Sequence, residues 1–435
     1  MFCDYCHGWR TLPQFVLDKL LVLLVLAGAV FTVILTSPQA KVYAAPGNNS
    51  SLAQSNNGSL NVVGNQVLSG SGQLYIPEGI SVYGGLEDKN YMENLPNDDA
   101  QIVAAVQYWH ANTIRLQVAE SNLFTHFTPG KTYNDKFLQA IVKQVDFARS
   151  LGTVVVINDQ TEFTSKVPGP TKVTSKFWAV MAQTFGNQPF VIFDLFNEPR
   201  LNGVSKPAKP PSPFATFRVI SPLRVKRSGG HNSQLSSINI WNIWKNGGRF
   251  NGVSYIGMQT LVNQVRGYGV NNLIWIEGPN EARVLPSGSY LIKGSNLVYS
   301  IHHPNLNNPS SWSQISNLSS IAPVVDGEWA QYASTWAECY SRAYTNAPRY
   351  LNFLLKYNVG VIAWSLQANS LVRGNIFKQP HNTNIVSDPK NAADLKMPTK
   401  LSKNYSCGDE YGQGVGQLLQ SYFDQYGARY KPVNS

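Results

Sequence analysis

The sequence predicts an α/β protein with the (β/α)8 barrel fold. Between residues 74 and 435, short apolar runs typical of strands alternate with segments whose apolar residues recur at helical spacing. Eight such runs occur, and each is separated from the next by enough chain for a crossover helix. A doubly wound open sheet would show the same alternation, but it normally carries a glycine-rich phosphate loop after its first strand. The segment Ser81-Val-Tyr-Gly-Gly-Leu86 does not match that loop.

The predicted elements follow one another in a regular order. Strands are predicted over residues 80–83, 113–118, 153–157, 191–196, 272–276, 297–301, 323–326 and 359–364. Their residues are mostly aliphatic or aromatic, as expected of strands buried on both faces. Helices are predicted over residues 97–109, 135–150, 174–185, 257–268, 349–356 and 415–426. In the helix over 135–150, Leu138, Ile141 and Val145 share one face, and Gly152 follows its end.

The first 45 residues are typical of an export segment. Two basic residues precede an apolar run over residues 20–35, and Val42-Tyr-Ala44 has the small-residue pattern of a signal-peptidase site. The run is slightly long for a signal peptide and slightly short for a membrane span. Both a cleaved signal peptide and a retained anchor are therefore open, and we favour cleavage near Ala44 or Ala45. In either case we expect a secreted or extracellular protein, with membrane contact only through residues 20–35.

Residues 46–73 are dominated by Asn, Ser and Gly, which predicts a flexible linker before a barrel domain over residues 74–435. The net charge of +10 is spread over a large surface. Because the chain shows no zinc-finger spacing or RNA-binding signature, we expect no nucleic-acid partner. We also expect a monomer.

The four cysteines fall into two groups. Cys3-Asp-Tyr-Cys6-His7 has the spacing for covalent haem attachment. It precedes the export segment, on the side of the membrane where haem would not be attached, so we interpret the match as chance. Cys339 and Cys407 could pair in an oxidising compartment, but the sequence leaves this open because it does not give their separation.

Side chains capable of chemistry lie at the ends of the predicted strands. Glu198 ends the run over 191–198, and Glu328 ends the run over 322–328. Because the carboxyl ends of barrel strands gather on one face, these side chains should converge. Two carboxylates delivered in this way are the equipment for cleaving a glycosidic bond. Other polar or aromatic residues at or near strand ends are Arg115, Asn197, His302 and Trp364.

Asn197-Glu198-Pro199 is the most specific local signal. Pro199 cannot continue a strand and biases Glu198 toward an extended backbone, so the carboxylate should project from the barrel mouth. Asn197 can donate an amide hydrogen bond to a sugar hydroxyl.

Three further acidic residues lie within or after predicted strands and could be alternatives to Glu198 and Glu328. Asn280-Glu281 lies several residues beyond the nearest strand, so we interpret it as a loop pair. Glu277 stands at that strand's end and is a weaker candidate for lining the cleft. Asp194 lies inside a strand, and we expect it to be a structural partner for a nearby polar residue.

The motifs resemble glycoside hydrolase family 5, a large cellulase-like family. Five matching segments occur in the family's order: Asn112-Thr-Ile-Arg115-Leu, Phe193-Asp-Leu-Phe-Asn-Glu-Pro199, Tyr299-Ser-Ile-His302, Val324-Val-Asp-Gly-Glu328 and Val361-Ile-Ala-Trp364-Ser. The resemblance implies that Glu198 is the general acid/base and Glu328 the nucleophile of a retaining glycosidase. Retention requires the two carboxylates to be about 5–5.5 Å apart. Such proximity would raise the pKa of Glu198 to suit an acid.

The same resemblance implies roles for three further residues. Arg115 would hold Glu328 ionised and oriented, and His302 would form a hydrogen bond near the nucleophile. Trp364 would offer an apolar platform to a sugar ring.

Two departures from the family pattern leave the substrate open. The histidine usually found near the end of the third strand is replaced by Asn158, Asp159 or Gln160. The His-x-Tyr pattern of the sixth strand reads His302-His303-Pro304, so the tyrosine is missing unless Tyr299 or another residue replaces it.

Residues 201–237 form a basic, proline-rich insertion after the fourth strand. One hypothesis is a basic lid that favours anionic or wall-associated polysaccharide. The alternative is a solvated, mobile insertion without a role in binding.

We therefore predict an exported retaining glycosidase that cleaves a β-linked polysaccharide or oligosaccharide without metal or organic cofactor. A cellulose-type β-glucan is the first expected substrate and β-mannan the second. The alternative is a catalytically silent carbohydrate-binding protein on the same fold.

Overall fold

The computed structural model describes residues 59–125, 127, 130–161, 167–201, 237–250, 252–330, 343–367, 371–373, 389, 391–403 and 412–427. The predicted export segment, the four cysteines and residues 202–236 of the basic insertion lie outside these ranges. Within them, no helix combines the length and the apolar character needed to cross a membrane.

A β-hairpin precedes the barrel, so the prediction of a flexible linker over residues 46–73 is wrong for its last part. Strands β1 (Asn61–Val63) and β2 (Gln66–Leu68) pair antiparallel around a turn in which Gly64 has a φ of 63°. Leu60 and Val67 are buried and pack with side chains of the barrel interior. Burial of these apolar residues outweighs the loop-like Asn, Ser and Gly composition around them.

The remaining strands follow in chain order: β3 (Glu78–Val82), β4 (Thr113–Val118), β5 (Val154–Asp159), β6 (Val191–Asp194), β7 (Gly247–Phe250), β8 (Val253–Ile256), β9 (Ile274–Glu277), β10 (Leu297–His302), β11 (Val324–Trp329) and β12 (Gly360–Ala363). Strands β7 and β8 form a separate antiparallel hairpin. The other eight are parallel and close into a barrel in the order β3-β4-β5-β6-β9-β10-β11-β12, with β12 pairing to β3. The predicted barrel fold is confirmed, and its eight strands overlap the eight predicted runs.

The described helices are α1 (Tyr91–Gln107), α2 (Glu120–Leu123), α3 (Asp135–Ser150), α4 (Lys172–Phe185), α5 (Ser237–Asn246), α6 (Met258–Gly267), α7 (Ser313–Ser319), α8 (Ala343–Lys356) and α9 (Gly416–Tyr426). Three of them, α2, α5 and α7, were not predicted. Between β9 and β10, where every residue is described, the chain forms only a 3-10 turn at Gly288–Tyr290 instead of the expected crossover helix.

Two apolar layers hold the barrel and its helices together. Alternate strand residues such as Val154, Val156 and Trp275 point inward and form one cluster. Their neighbours, such as Val155 and Ile157, belong to the larger layer between strands and helices. All residues of the eight barrel strands are buried, which explains why the strands are rich in aliphatic and aromatic residues.

Candidate active site

Glu198 and Glu328 lie at the carboxyl ends of two barrel strands. Glu198 follows the last residue of β6 by four positions, and Glu328 lies near the end of β11, paired in register with His302 of β10. The carboxyl ends of all eight parallel strands open on the same face of the barrel. The fold therefore brings together two side chains that are 130 positions apart in the chain.

The two carboxylates approach each other closely across this face. One carboxylate oxygen of Glu198 and one of Glu328 lie within 4.8 Å of each other. His302 Nδ1 contacts both carboxylates, at 3.2 Å from Glu198 Oε1 and 3.7 Å from Glu328 Oε2. The two glutamates are only 3% and 2% exposed. A single small group, such as one sugar carbon with its leaving oxygen, fits between such carboxylates.

Arg115, on β4, is fully buried and contacts four groups of the site. Its Nη1 donates to Glu328 Oε1 at 2.7 Å, and its Nη2 donates to Asn197 Oδ1 at 2.8 Å. The guanidinium also pairs with Asp194 at 2.9 Å and with Glu277 at 3.1 Å. Because its donors lie in one rigid plane, the guanidinium fixes the positions of these side chains relative to one another.

Glu277, predicted as a weaker candidate for lining the cleft, is fully buried beside Glu198. Its Oε2 accepts a hydrogen bond from the backbone N–H of Glu198 at 2.6 Å. Its Oε1 lies 3.1 Å from His302 Nε2. Through these contacts Glu277 holds the Glu198 backbone and the His302 ring in position.

Asp194 also supports the site from inside the barrel. Besides its pairing with Arg115, its Oδ2 accepts from Asn158 Nδ2 at 3.0 Å. Burial, reinforced by the Glu277 carboxylate, raises the pKa of Asp194 to about 7 against the opposing effect of Arg115. This is the structural role that the sequence predicts for Asp194.

The backbone of Glu198 is left-handed, with a φ of 45°, whereas Pro199 predicts an extended conformation. Tertiary hydrogen bonds explain the difference. The Glu198 N–H is bound by Glu277, and the Pro199 carbonyl accepts from the N–H of Glu281 at 3.0 Å. Together these hydrogen bonds stabilise the left-handed conformation of Glu198 against the preference for an extended backbone before a proline.

The loop after β9 supplies one of those contacts. Asn280, Glu281 and Ala282 all have positive φ, at 65°, 58° and 53°. The Ala282 carbonyl accepts from the backbone N–H of His302 at 3.0 Å. The pair Asn280-Glu281 therefore lies in a loop, as expected, and this loop ties the end of β6 to the end of β10.

Gly327 occupies a position where a larger residue would disturb His302. A Cβ atom there would lie 2.2 Å from Ser300 Oγ and 2.8 Å from His302 Nε2. The glycine between Asp326 and Glu328 therefore lets the imidazole pack directly against β11.

Asn197 precedes Glu198 in the chain, and Trp364 directly follows β12. Asn197 is buried, and because a guanidinium can only donate, the contact with Arg115 fixes Oδ1 as its acceptor. Its Nδ2 then has no hydrogen-bond partner among the described residues. Trp364 is half-buried and packs edge-on against Tyr83, with ring centroids 5.3 Å apart.

Comparison with known proteins identifies the family. The model of the family described as Cellulase (glycosyl hydrolase family 5) matches residues 80–370. The chain belongs to glycoside hydrolase family 5. The matched segment runs from within β3 to beyond β12 and contains all the site residues described above.

Solved structures of family members share the fold at low identity. The catalytic domain of Thermobifida fusca endoglucanase Cel5A is similar with a TM-score of 0.51 and 16% identity, over 85% of this chain and 98% of that chain. The β-glucanase SdGluc5_26A of Saccharophagus degradans is similar with a TM-score of 0.54 and 15% identity, over 88% and 98%. No curated protein matches the sequence.

His303 is a site residue that the sequence did not predict. Its Nε2 lies 2.5 Å from Glu198 Oε1. The sequence did contain a sign of this role, because His302-His303-Pro304 departs from the His-x-Tyr pattern of family 5. Tyr299 does not replace the missing tyrosine near the glutamates, because its hydroxyl accepts from the backbone N–H of Ile292 at 3.0 Å.

The two histidines determine the charge of Glu198. Burial alone would raise its pKa, but His303 and then His302 outweigh burial and hold the pKa of Glu198 well below its usual range. This finding reverses the expectation of a raised value. Burial alone would likewise lower the pKa of His302, but Glu277, Glu328 and Glu198 hold it well above its usual range.

Among the described residues, one group of His and acidic side chains has the spacing of a cation site. It consists of Glu198, His302, His303 and Glu328, whose possible ligand atoms lie within 4.8 Å of one another. Two ligands of one tetrahedral zinc ion would lie roughly 3.3 Å apart, given metal–ligand distances of about 2.0–2.1 Å. The 2.5 Å between His303 and Glu198 is instead a hydrogen-bond distance. As placed, His303 Nε2 and Glu198 Oε1 are too close together to be two ligands of one zinc ion.

Proposed function

We propose that the protein is a retaining glycoside hydrolase that cleaves β-linked polysaccharides or oligosaccharides. The observation that carries the proposal is the approach of the Glu198 and Glu328 carboxylates to within 4.8 Å on the open face of the barrel. Retaining enzymes hold their carboxylates about 5–5.5 Å apart, whereas inverting enzymes need about 6.5–9.5 Å to admit a water. Membership of family 5 supports the same reaction class.

Glu328 would act as the nucleophile. The hydrogen bond from Arg115 to Oε1 stabilises the carboxylate and orients it, while Oε2 faces His302 and the gap. In the first step, Glu328 attacks the anomeric carbon and Glu198 protonates the leaving oxygen. In the second step, water attacks the glycosyl-enzyme and Glu198 accepts its proton.

Asn197 and Trp364 would bind the sugar that is cleaved, Asn197 by a hydrogen bond and Trp364 by an apolar contact. The Asn197 amide, which has no partner in the part of the chain that the structure describes, is costly to bury, and a sugar hydroxyl that accepts its hydrogen bond would remove that cost. The accessible part of the Trp364 ring would support the apolar face of a sugar.

We propose a cellulose-type β-glucan as the first substrate to test and β-mannan as the second. The similar Saccharophagus degradans β-glucanase is also described in complex with cellotetraose. The apolar run over residues 20–35 supports export, so that the enzyme would meet polysaccharide outside the cytoplasm as a secreted or anchored monomer.

One observation favours the alternative, carbohydrate binding without turnover. An acid must carry a proton before the reaction, whereas the contacts of His302 and His303 with Glu198 favour its ionised form and hold its pKa well below the usual range. The two functions therefore need a direct test.

The test is a screen of the exported domain on β-glucans, mannans and xylans with product analysis, followed by Glu328→Gln. We expect the variant to lose hydrolysis by roughly 10³-fold or more while keeping its affinity for the glycan. Glu93→Gln, at an exposed residue of α1, is the matched control and should leave hydrolysis unchanged. A wild-type protein that binds a glycan but releases no product would contradict the proposal and support the alternative.

A further inference from the structure

We propose that Glu198 and His303 work as a pair that holds one shared proton, so that His303 is the residue that keeps the acid/base competent at neutral pH. This inference rests on the proposed function and extends it to a residue outside the expected catalytic set. His303 is a positioning residue in this account, because it acts on the substrate only through Glu198.

The contact between the two side chains is short and shielded from water. His303 Nε2 lies 2.5 Å from Glu198 Oε1, and the two side chains are only 6% and 4% exposed. A hydrogen bond between a carboxylate and an imidazole in such surroundings is stronger than one at the surface. A proton placed on either partner is therefore bound by both.

The groups around the pair favour the ionised form of Glu198. Its Oε1 also lies 3.2 Å from His302 Nδ1, and its Oε2 lies 3.5 Å from Arg200 Nη2. Glu277 contacts the other ring nitrogen of His302, with Oε1 3.1 Å from Nε2, and Glu328 Oε2 lies 3.7 Å from Nδ1. Three donors around one carboxylate favour its ionised form, whereas an imidazole is the side chain that exchanges a proton near neutrality.

The main chain holds His303 in this position. Its φ is 53°, a left-handed value that is uncommon outside glycine, and its N–H donates to the Glu328 carbonyl at 3.3 Å. His303, which lies beside the strand that carries Glu328, is thus turned toward Glu198. Unfavourable backbone conformations persist where the surrounding structure maintains them, and they are concentrated at functional sites.

The Glu198–His303 pair gives up one proton in the first step of the reaction and regains one in the second. Before the reaction the pair holds one proton. As the bond between the anomeric carbon and the leaving oxygen breaks, the shared proton passes through the Glu198 carboxylate to the leaving oxygen. The pair is then a carboxylate and a neutral imidazole, and it takes one proton back from the attacking water.

The experiment compares pH profiles of kcat/KM for the wild type, His303→Gln and His303→Phe. We expect the alkaline limb to move to lower pH by about one to two units in both variants, because Glu198 alone must then hold the proton and the ordinary pKa values of glutamate and histidine differ by about two units. At pH 7.5 this shift corresponds to a loss of roughly tenfold or more. An unchanged limb, or a limb at higher pH, would overturn the inference.

Two controls separate this role from a structural one. His110→Gln, at a histidine whose side chain is 56% exposed, should leave the profile unchanged. An aryl glycoside with an acidic phenol as leaving group needs no protonation, so the His303 variants should release the phenol in the first turnover at nearly the wild-type rate. Equal losses on this substrate and on the natural glycan would show that the variants only disturb the fold.

A measurement without turnover separates this inference from the proposed function. In ¹⁵N NMR at pH 7.5, we expect both ring nitrogens of His303 to be protonated in the wild type and only one in Glu198→Gln. An identical His303 signal in the two proteins would refute the shared proton even if the enzyme hydrolyses glycans. The predicted change in a protein without hydrolysis would support the pair and refute the proposed function.

Discussion

Replacing Glu78 by glutamine should remove a loss of stability that the wild type undergoes as the pH rises above 4.5. Glu78 begins β3, at the end of the barrel opposite the candidate active site, and it is 0% exposed. Neither of its carboxylate oxygens has a hydrogen-bond partner among the described residues. Burial raises the pKa of Glu78 to about 9 from its ordinary 4.5.

The raised pKa fixes both the sign and the size of the effect. The folded protein keeps the Glu78 proton up to about pH 9, whereas the unfolded chain releases it above pH 4.5. Stability is therefore highest below pH 4.5 and falls as the pH rises through this window. At about 1.4 kcal/mol per pH unit, the accumulated loss is about 3 kcal/mol at pH 7. Glutamine cannot ionise, so Glu78→Gln removes this loss.

The assay is urea unfolding of the wild type and Glu78→Gln between pH 4.5 and 9, followed by tryptophan fluorescence. The amide adds an offset that does not depend on pH, so the informative quantity is the change with pH in the difference between the two unfolding free energies. We expect this difference to move in favour of the variant by about 3 kcal/mol between pH 4.5 and 7. Glu93→Gln, at an exposed glutamate, is the control and should give parallel curves. Parallel curves for Glu78→Gln would refute the reasoning.

Two further predictions concern the candidate active site. Gly327→Ala would place a Cβ atom 2.8 Å from His302 Nε2, so we expect the imidazole to shift and kcat to fall by roughly tenfold or more, with a destabilisation of about 1–3 kcal/mol. A crystal structure of the variant and its steady-state kinetics check this, and an unmoved His302 with normal kcat would contradict it. Asn197→Ala removes both the acceptor for Arg115 and the free amide, so kcat/KM on the glycan should fall about tenfold or more. Isothermal titration of Glu328→Gln with and without the added Asn197→Ala change tests the binding part, and equal affinities would show that Asn197 does not contact the sugar.

The barrel could be predicted from the sequence because its strands are buried on both faces. Their residues are mostly aliphatic or aromatic, with a few buried polar residues such as Arg115 and Asp326 among them. Glu198 and Glu328 stand out in the sequence because each lies at the carboxyl end of such a segment. The hairpin β1–β2 was missed because its few apolar residues lie among Asn, Ser and Gly.

The parts of the site that depend on contacts between distant segments could not be predicted. The left-handed conformation of Glu198 depends on Glu277, which lies 79 positions away in the chain. The low pKa of Glu198 depends on His303, whose approach requires an unusual backbone conformation after β10. A rule that considers only two neighbouring carboxylates predicts the opposite shift, because it leaves out the imidazoles.

The most direct test of the account is the anomeric configuration of the first product. Hydrolysis of a β-linked oligosaccharide by the wild-type enzyme can be followed by ¹H NMR before the released sugar mutarotates. The 4.8 Å limit on the separation of the Glu198 and Glu328 carboxylate oxygens predicts double displacement, so the β-anomer should appear first and the α-anomer only later by mutarotation. Initial release of the α-anomer would show a single displacement by water and would contradict the proposed roles of both glutamates.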